Sequence, residues 1–391
     1  LRPASGVAEP AFLAVTEPGM KGSGLRPPKQ DWSKLRVFPL AERRSLTRVD
    51  DILIDPSSAP PPCSDEATAH IEECVRRIRK AREQGAAVIL MYGAHLLRNG
   101  AALILDQLMQ RGWLTHLATN GAGTIHDWEY AWIGRSTESV RDNVATGSFG
   151  SWDETGRNIL LSMLAGGLEG KGYGESLGRY IHEDGATLPS PEELRALIHD
   201  EPDHPLTAHR ADVLRTMQQF NIPAGRISVK HPWKQASVLA HAYRNNVPFT
   251  VHPGIGYDII ANHPIFDGGV VGRAAGIDFR TIGDSVESLD NGVVLSVGSA
   301  IMAPQVFEKT LSNVNNLRLQ AGRPTVSGHS IYVVDLQESG NWDWSTGEPP
   351  KTNPAYYLRF CKSFVRMGGD MQYVQCDNRT FVHHLFARLA G

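Results

Sequence analysis

Across residues 117–127 an apolar run passes through Thr119-Asn120-Gly121-Ala122-Gly123 directly into a stretch with helical spacing. A strand that turns through small residues into a helix aims that helix's first backbone N–H groups at whatever lies beyond the strand end, where a phosphate or another anion can sit. Glycine at such a turn lets a ligand approach without meeting a Cβ. The same order of events occurs upstream, where the apolar run 87–91 leads through Tyr92-Gly93-Ala94-His95 to a second helical stretch. The expected elements are a strand at 87–91, a helix at 97–111, a strand at 114–118 and a helix from about Ile125. Two such units in succession call for parallel pairing with right-handed crossovers. The chain is therefore expected to be an α/β protein with a doubly wound, mostly parallel, Rossmann-like sheet. The turn does not have the G-x-G-x-x-G spacing of the dinucleotide fingerprint, so a tight β-to-α turn without a ligand stays open beside the phosphate-cradle reading.

The second half repeats the alternation. A helix is expected at 236–245, followed by strands at 247–251, 292–297, 330–334 and 371–375. Helices are expected near 304–320 and from about Asn378. Residues 293–303 again run from a buried strand through small residues into a helix, so one crevice is expected across several strand ends. The glycine-rich stretch 134–185 is expected to be loops with one helix near 159–164. Helices follow at 191–199, with Ser190 as N-cap and Pro191 in its first turn, and at 211–220.

At 391 residues the chain is long enough for a large core. Residues 1–65 are rich in Pro, Gly and Ser and are expected to be an arm on the body. Residues 66–391 are expected to form a single domain with an insertion near 134–210. The net charge of −3 and isoelectric point near 6.6 lack the basic excess that nucleic acid or an anionic membrane selects, so neither is an expected partner. No apolar run approaches the ~20 residues of a membrane span, and a cytoplasmic setting is expected. The four cysteines show neither paired nor zinc-like spacing, and disulfides are not expected. His252 and His263 lack a third ligand at a convincing spacing, and no metal is expected.

Three further segments carry polar groups with two readings each. Asp258 ends the turn His252-Pro253-Gly254-Ile255-Gly256-Tyr257, where it could enter the crevice or cap a helix. The aromatic loop 342–350 could cover a site or pack on a neighbour. Lys362, inside the apolar run 356–364, could form a Schiff base or simply snorkel to solvent.

In order, spacing and loop length, residues 92–100 with their helix and residues 117–127 resemble the first two strand–loop–helix units of the deoxyhypusine synthase family. Residues 246–249 with Gly256-Tyr257-Asp258, the strand through Tyr332-Val333-Val334-Asp335-Leu336-Gln337-Glu338, and residues 371–381 resemble its later strands. The resemblance spans residues 66–391. It implies NAD as cofactor in a deoxyhypusine synthase-like fold, a homotetramer, and aminobutyl transfer from a spermidine-like polyamine through a lysine imine to a protein lysine or a second amine. Carried over by position, Asn99, Asn120, Gly121, Ala122, Gly123, Gly298, Ser299, Gln337 and Asp377 would line the NAD site. Asp258 would hold the amine and Lys362, reached across a short insertion after Gly347, would form the imine. The chain departs from the family at Ala303, where a catalytic histidine is expected, and at Phe360, where a tryptophan is expected. It also departs at Tyr356, Ser345 and His126, where acids are expected. Loss of carboxylates removes the charge-assisted hydrogen bonds that hold a polycation. Two alternatives follow: an NAD-dependent enzyme for a different amine or hydroxy substrate, or an NAD-binding homologue without catalysis.

Overall fold

The computed structural model describes residues 30–391; the expected arm over 1–29 lies outside the described residues. Six strands form the central sheet: β1 (Val88–Tyr92), β2 (His116–Thr119), β3 (Phe249–Val251), β4 (Val293–Val297), β5 (Ser330–Asp335) and β6 (Asp370–Gln375). Their spatial order is β3-β2-β1-β4-β5-β6, with every neighbouring pair parallel. This is the doubly wound order of a Rossmann-like sheet, whose direction of winding reverses between β1 and β4.

The strands β1 to β5 are buried almost throughout because both faces are covered, while the edge strand β6 carries Asp370, Gln372 and Gln375. Val88, Leu90 and Tyr92 of β1 enter one core, while Ile89 and Met91 enter the other, as a period of two requires. On the first face the helix Asp65–Glu83, N-capped by Ser64 through Ala67 N–H, buries Ile71, Cys74, Val75 and Ile78. On the second, Phe307 and Leu311 of the helix Met302–Gln320 meet Phe364 of the helix Arg359–Val365.

Three expectations need correction. The helix expected over 97–111 is split into His95–Arg98 and Ala102–Gln110. Gly100 between them takes φ +82° and packs so tightly on Ile52 that a Cβ would lie 1.8 Å from its carbonyl oxygen. The helix expected from about Ile125 starts at Gly121, so the Asn-Gly-Ala-Gly turn is its cap and first turn.

The stretch 134–185 holds three helices, Val140–Ala145, Asp153–Gly167 and Tyr173–His182. Its glycines mark close helix packing rather than loops. A Cβ on Gly174 would lie 2.0 Å from the Phe249 carbonyl oxygen, and one on Gly166 would lie 2.0 Å from Ser176 Oγ. The helix Pro191–Asp200 has Ser190 and Glu193 in a reciprocal capping box with Pro191 in its first turn, and the helix expected at 211–220 begins earlier, at Thr207.

Residues 30–64 lie across the body. Thr47–Arg48 pairs antiparallel with Arg135–Ser136, and Phe38 bridges to Trp152. Arg43 reaches inward to make two hydrogen bonds, of 2.8 and 2.7 Å, with the carboxylate of Glu129, which is fully buried.

Candidate functional site

The carboxyl ends of β1 to β6 bring most of the expected site residues to one edge of the sheet, and their side chains fall into two groups. Asn120, Ser299 and Asp377 are engaged by helix starts. Asn120 Oδ1 accepts from Gly123 N–H at 3.0 Å, Ser299 Oγ accepts from Ala303 N–H at 3.2 Å, and Asp377 Oδ1 accepts from Thr380 N–H at 3.0 Å. Each satisfies a backbone donor that the helix itself cannot. Among the described residues, the carboxamides of Asn99 and Gln337 make no hydrogen bond. The same holds for Asn378, which sequence reasoning missed.

At the switch point the backbones of β1 and β4 nearly touch. A Cβ on Gly93 would lie 2.2 Å from the Gly298 carbonyl oxygen. Gly298 takes φ +59°, with the Asn378 amide nitrogen 2.2 Å from where its Cβ would be. One carboxamide without a partner, that of Asn378, thus stands at the switch point, the place where open α/β sheets take their ligands. The Asn120–Gly123 turn fits a phosphate less well. Asn120 already takes one of its donors, and the Asp258 carboxylate lies against Gly121, 2.2 Å from the position of a Cβ.

Asp258 reaches this place on the loop after β3. It precedes a short 3-10 turn, Ile259–Asn262, but its side chain does not cap it. Oδ2 accepts from Gly254 N–H at 2.7 Å. Burial pushes the carboxyl up to about 6, against the lowering effect of the Gly254 amide. Among the described residues no cation lies within 4.0 Å of it.

Asp258 lines a cleft of about 260 Å³ together with Arg98, His126, Glu129, Glu138 and Tyr257. The cleft opens over the start of the helix Gly121–Ile133. His126 bonds through Nδ1 to Ser136 Oγ at 2.7 Å. Burial, opposed by Glu129, lowers its imidazole to about 4, so it is neutral at pH 7. Ser136 and Thr155 hydroxyls also donate to Glu129, completing a buried network with Arg43.

Lys362 does not line this cleft. Its ammonium sits 3.6 Å from the centre of the Tyr356 ring and 3.9 Å from Glu348 Oε2. The aromatic loop 342–350 packs down: Trp344 is buried beside Leu358 and Phe360, and Trp342 Nε1–H donates to the Gly347 carbonyl at 2.9 Å. His252 and His263 part company, the first on Thr250 Oγ1 at 3.1 Å and the second on Asp153 at 3.1 Å. Among the described residues no group of three or more His, Cys, Asp or Glu could hold a metal. No helix among them is long and apolar enough to cross a membrane.

No protein-family model matches the chain, and no curated protein sequence matches it. Solved structures overlap it at low identity. The arginine dihydrolase ArgZ of cyanobacteria is 14% identical with TM-score 0.41, covering 83% of this chain and 32% of its own. AgrE, solved with ornithine and NAD+, is 13% identical with TM-score 0.40, covering 84% and 34%. A deoxyhypusine synthase candidate from Entamoeba histolytica is 12% identical with TM-score 0.31, covering 70% and 80%. The chain spans about a third of the length of the first two. At these identities and scores the overlaps do not fix a chemistry.

Proposed function

We propose that the chain is an NAD-dependent enzyme acting on a small amine that Asp258 holds. The observation that carries this reading is the adjacency of two features on one sheet edge. One is the switch point between β1 and β4, where the unpartnered Asn378 carboxamide lies over Gly298. The other is the cleft in which a buried carboxylate stands without a cation.

NAD, when bound, would accept a hydride from the carbon that bears the amine. The chain's own groups do the rest. Asn99, Gln337 and Asn378 would offer donors and acceptors to the cofactor, and Gly93 lets the ends of β1 and β4 approach each other. Asp258, as a carboxylate, takes an ammonium by a charge-assisted hydrogen bond. The neutral His126 adds no competing positive charge.

The narrower reading, aminobutyl transfer from a polyamine through an imine on Lys362, has less support. The Lys362 ammonium is held at Tyr356 and Glu348, away from the cleft that Asp258 lines.

The test is NADH formation by the full chain with a panel of amines, alongside borohydride trapping. The expected result is turnover that Asp258→Asn lowers at least tenfold and Lys362→Ala leaves within a few-fold, with no trapped adduct. An adduct at Lys362 would establish the transfer route instead. NAD binding without turnover on any amine would leave only a binding protein.

A further inference from the structure

The cleft over the helix Gly121–Ile133 holds charges of both signs, and most of them are already matched. Arg43 and Glu129 are bound to each other through two hydrogen bonds. Glu138 accepts from Gly150 N–H at 3.1 Å, Trp152 Nε1–H at 3.0 Å and Asn143 Nδ2 at 2.5 Å. Glu138 is thus satisfied by neutral donors, and among the described residues two further charges of the cleft have no ion pair. Asp258 has the Gly254 amide and no cation. Arg98 has no carboxylate within 4.0 Å; its nearest polar partner is His95 Nε2, 3.4 Å from Nη1, and its Nε is buried with no hydrogen bond at all.

The two come from different strand ends, Arg98 from the turn after β1 and Asp258 from the loop after β3, and both line the one cleft. A buried guanidinium N–H without an acceptor is costly, and Arg98 itself lines the cleft, where an anion would meet a guanidinium that no carboxylate holds. Arg is also suited to this, because its planar fork matches a carboxylate.

We propose that the ligand of this cleft is a small zwitterion of the amino-acid kind, its ammonium on Asp258 and its carboxylate on Arg98. This rests on the reading that Asp258 holds an amine, and adds the second charge of the ligand. A polyamine suits the cleft badly. Its further ammonium groups would meet the charge of Arg98, and the other carboxylate of the wall without a cation, Glu138, already accepts three hydrogen bonds.

The test is calorimetric titration of the full chain, without NAD, using matched pairs that differ only in the carboxylate: lysine against cadaverine, and ornithine against putrescine. Each amino acid is expected to bind at least tenfold more tightly than its diamine. Arg98→Gln should remove that difference without weakening the diamine, and Arg98→Lys should restore part of it. Asp258→Asn should weaken both members of each pair. Thermal melts of the variants show that the fold is kept.

Diamines that bind as tightly as the amino acids, in an Asp258-dependent way, would overturn the zwitterion while leaving the amine reading intact. Amino-acid binding that Arg98→Gln does not touch would do the same. If neither class binds, or if Asp258→Asn changes nothing, the amine reading itself fails and the zwitterion with it.

Discussion

The carboxylate of Asp258 lies so close over Gly121 that a Cβ there would come within 2.2 Å of Oδ2. Residue 121 opens the helix Gly121–Ile133, and Asp258 ends the loop after β3, so the absence of a side chain at 121 is what admits the carboxylate. Gly121→Ala should push Asp258 away from the cleft. Loss of a charge-assisted hydrogen bond worth about 1.5–3 kcal/mol corresponds to a rise of roughly ten- to a hundredfold in the Kd for an amine. Calorimetry on the variant checks this, and unchanged affinity would show that Asp258 does not hold the ligand.

The raised carboxyl of Asp258 sets a pH dependence for the same binding. Only the carboxylate takes an ammonium, so affinity should be full above about pH 6 and lost as pH falls through that value, by about tenfold per unit once well below it. The other titratable groups facing the cleft are His126, neutral above about 4, together with Glu129, Glu138 and Tyr257. Arg43 and Arg98 also face the cleft. An Asp258→Asn chain should bind weakly with a flat profile over the same range, as titrations at a series of pH values would show.

Much of the sheet was legible because its strands are apolar runs closed by glycine or polar turns. The run 87–91 became Val88–Tyr92, and 330–334 became Ser330–Asp335. The helix break at Gly100 was not legible, since its cause is the carbonyl of Ile52, far away in sequence. The glycines of 134–185 were misread for a related reason: glycine at a turn and glycine at a helix contact look alike until the partner is known.

The site was legible only in part. Asn120, Ser299 and Asp377 belong to residue types that engage helix starts as readily as they bind ligands; here Asn120 and Asp377 cap, and Ser299 accepts a first-turn amide. Arg98 stood in plain view beside Asn99, but its lack of an acidic partner is a property of the assembled cleft. Asn378 opens the last expected helix, and only the fold brings it over Gly298.

The Arg43–Glu129 pair ties residues 30–64 to the body and forms part of the cleft wall. Both side chains are almost wholly buried, so removing one leaves an uncompensated charge. Arg43→Ala should lower stability by about 3–5 kcal/mol, read from denaturant unfolding. The paired replacement Arg43→Met with Glu129→Leu should recover much of that loss, because it removes both charges from the interior, although Ser136 and Thr155 lose an acceptor.

Asp278, in the helix Gly268–Glu287, is buried where it accepts from Val251 N–H at 2.7 Å and Gly174 N–H at 3.0 Å. Burial pushes its carboxyl from 3.8 up to about 8, against these amides. The folded protein therefore keeps a proton that the unfolded chain gives up, and stability falls as pH rises from about 4 to about 8. Asp278→Asn should remove that slope and stabilise the protein at pH 7 by on the order of 2–4 kcal/mol. The helix start at Tyr173 favours the anion and so draws the gain toward the lower figure. Melting temperatures across pH for the two chains check it.

The reading of the whole sheet edge turns on whether the switch point between β1 and β4 takes the cofactor. Calorimetric titration of NAD into the full chain tests it most directly, with Gly93→Ala as the comparison, since a Cβ there would lie 2.2 Å from the Gly298 carbonyl oxygen. The expected result is saturable binding at one NAD per chain that Gly93→Ala abolishes while the rest of the fold still melts cooperatively. An absence of binding up to millimolar NAD, or binding that Gly93→Ala leaves untouched, would contradict it.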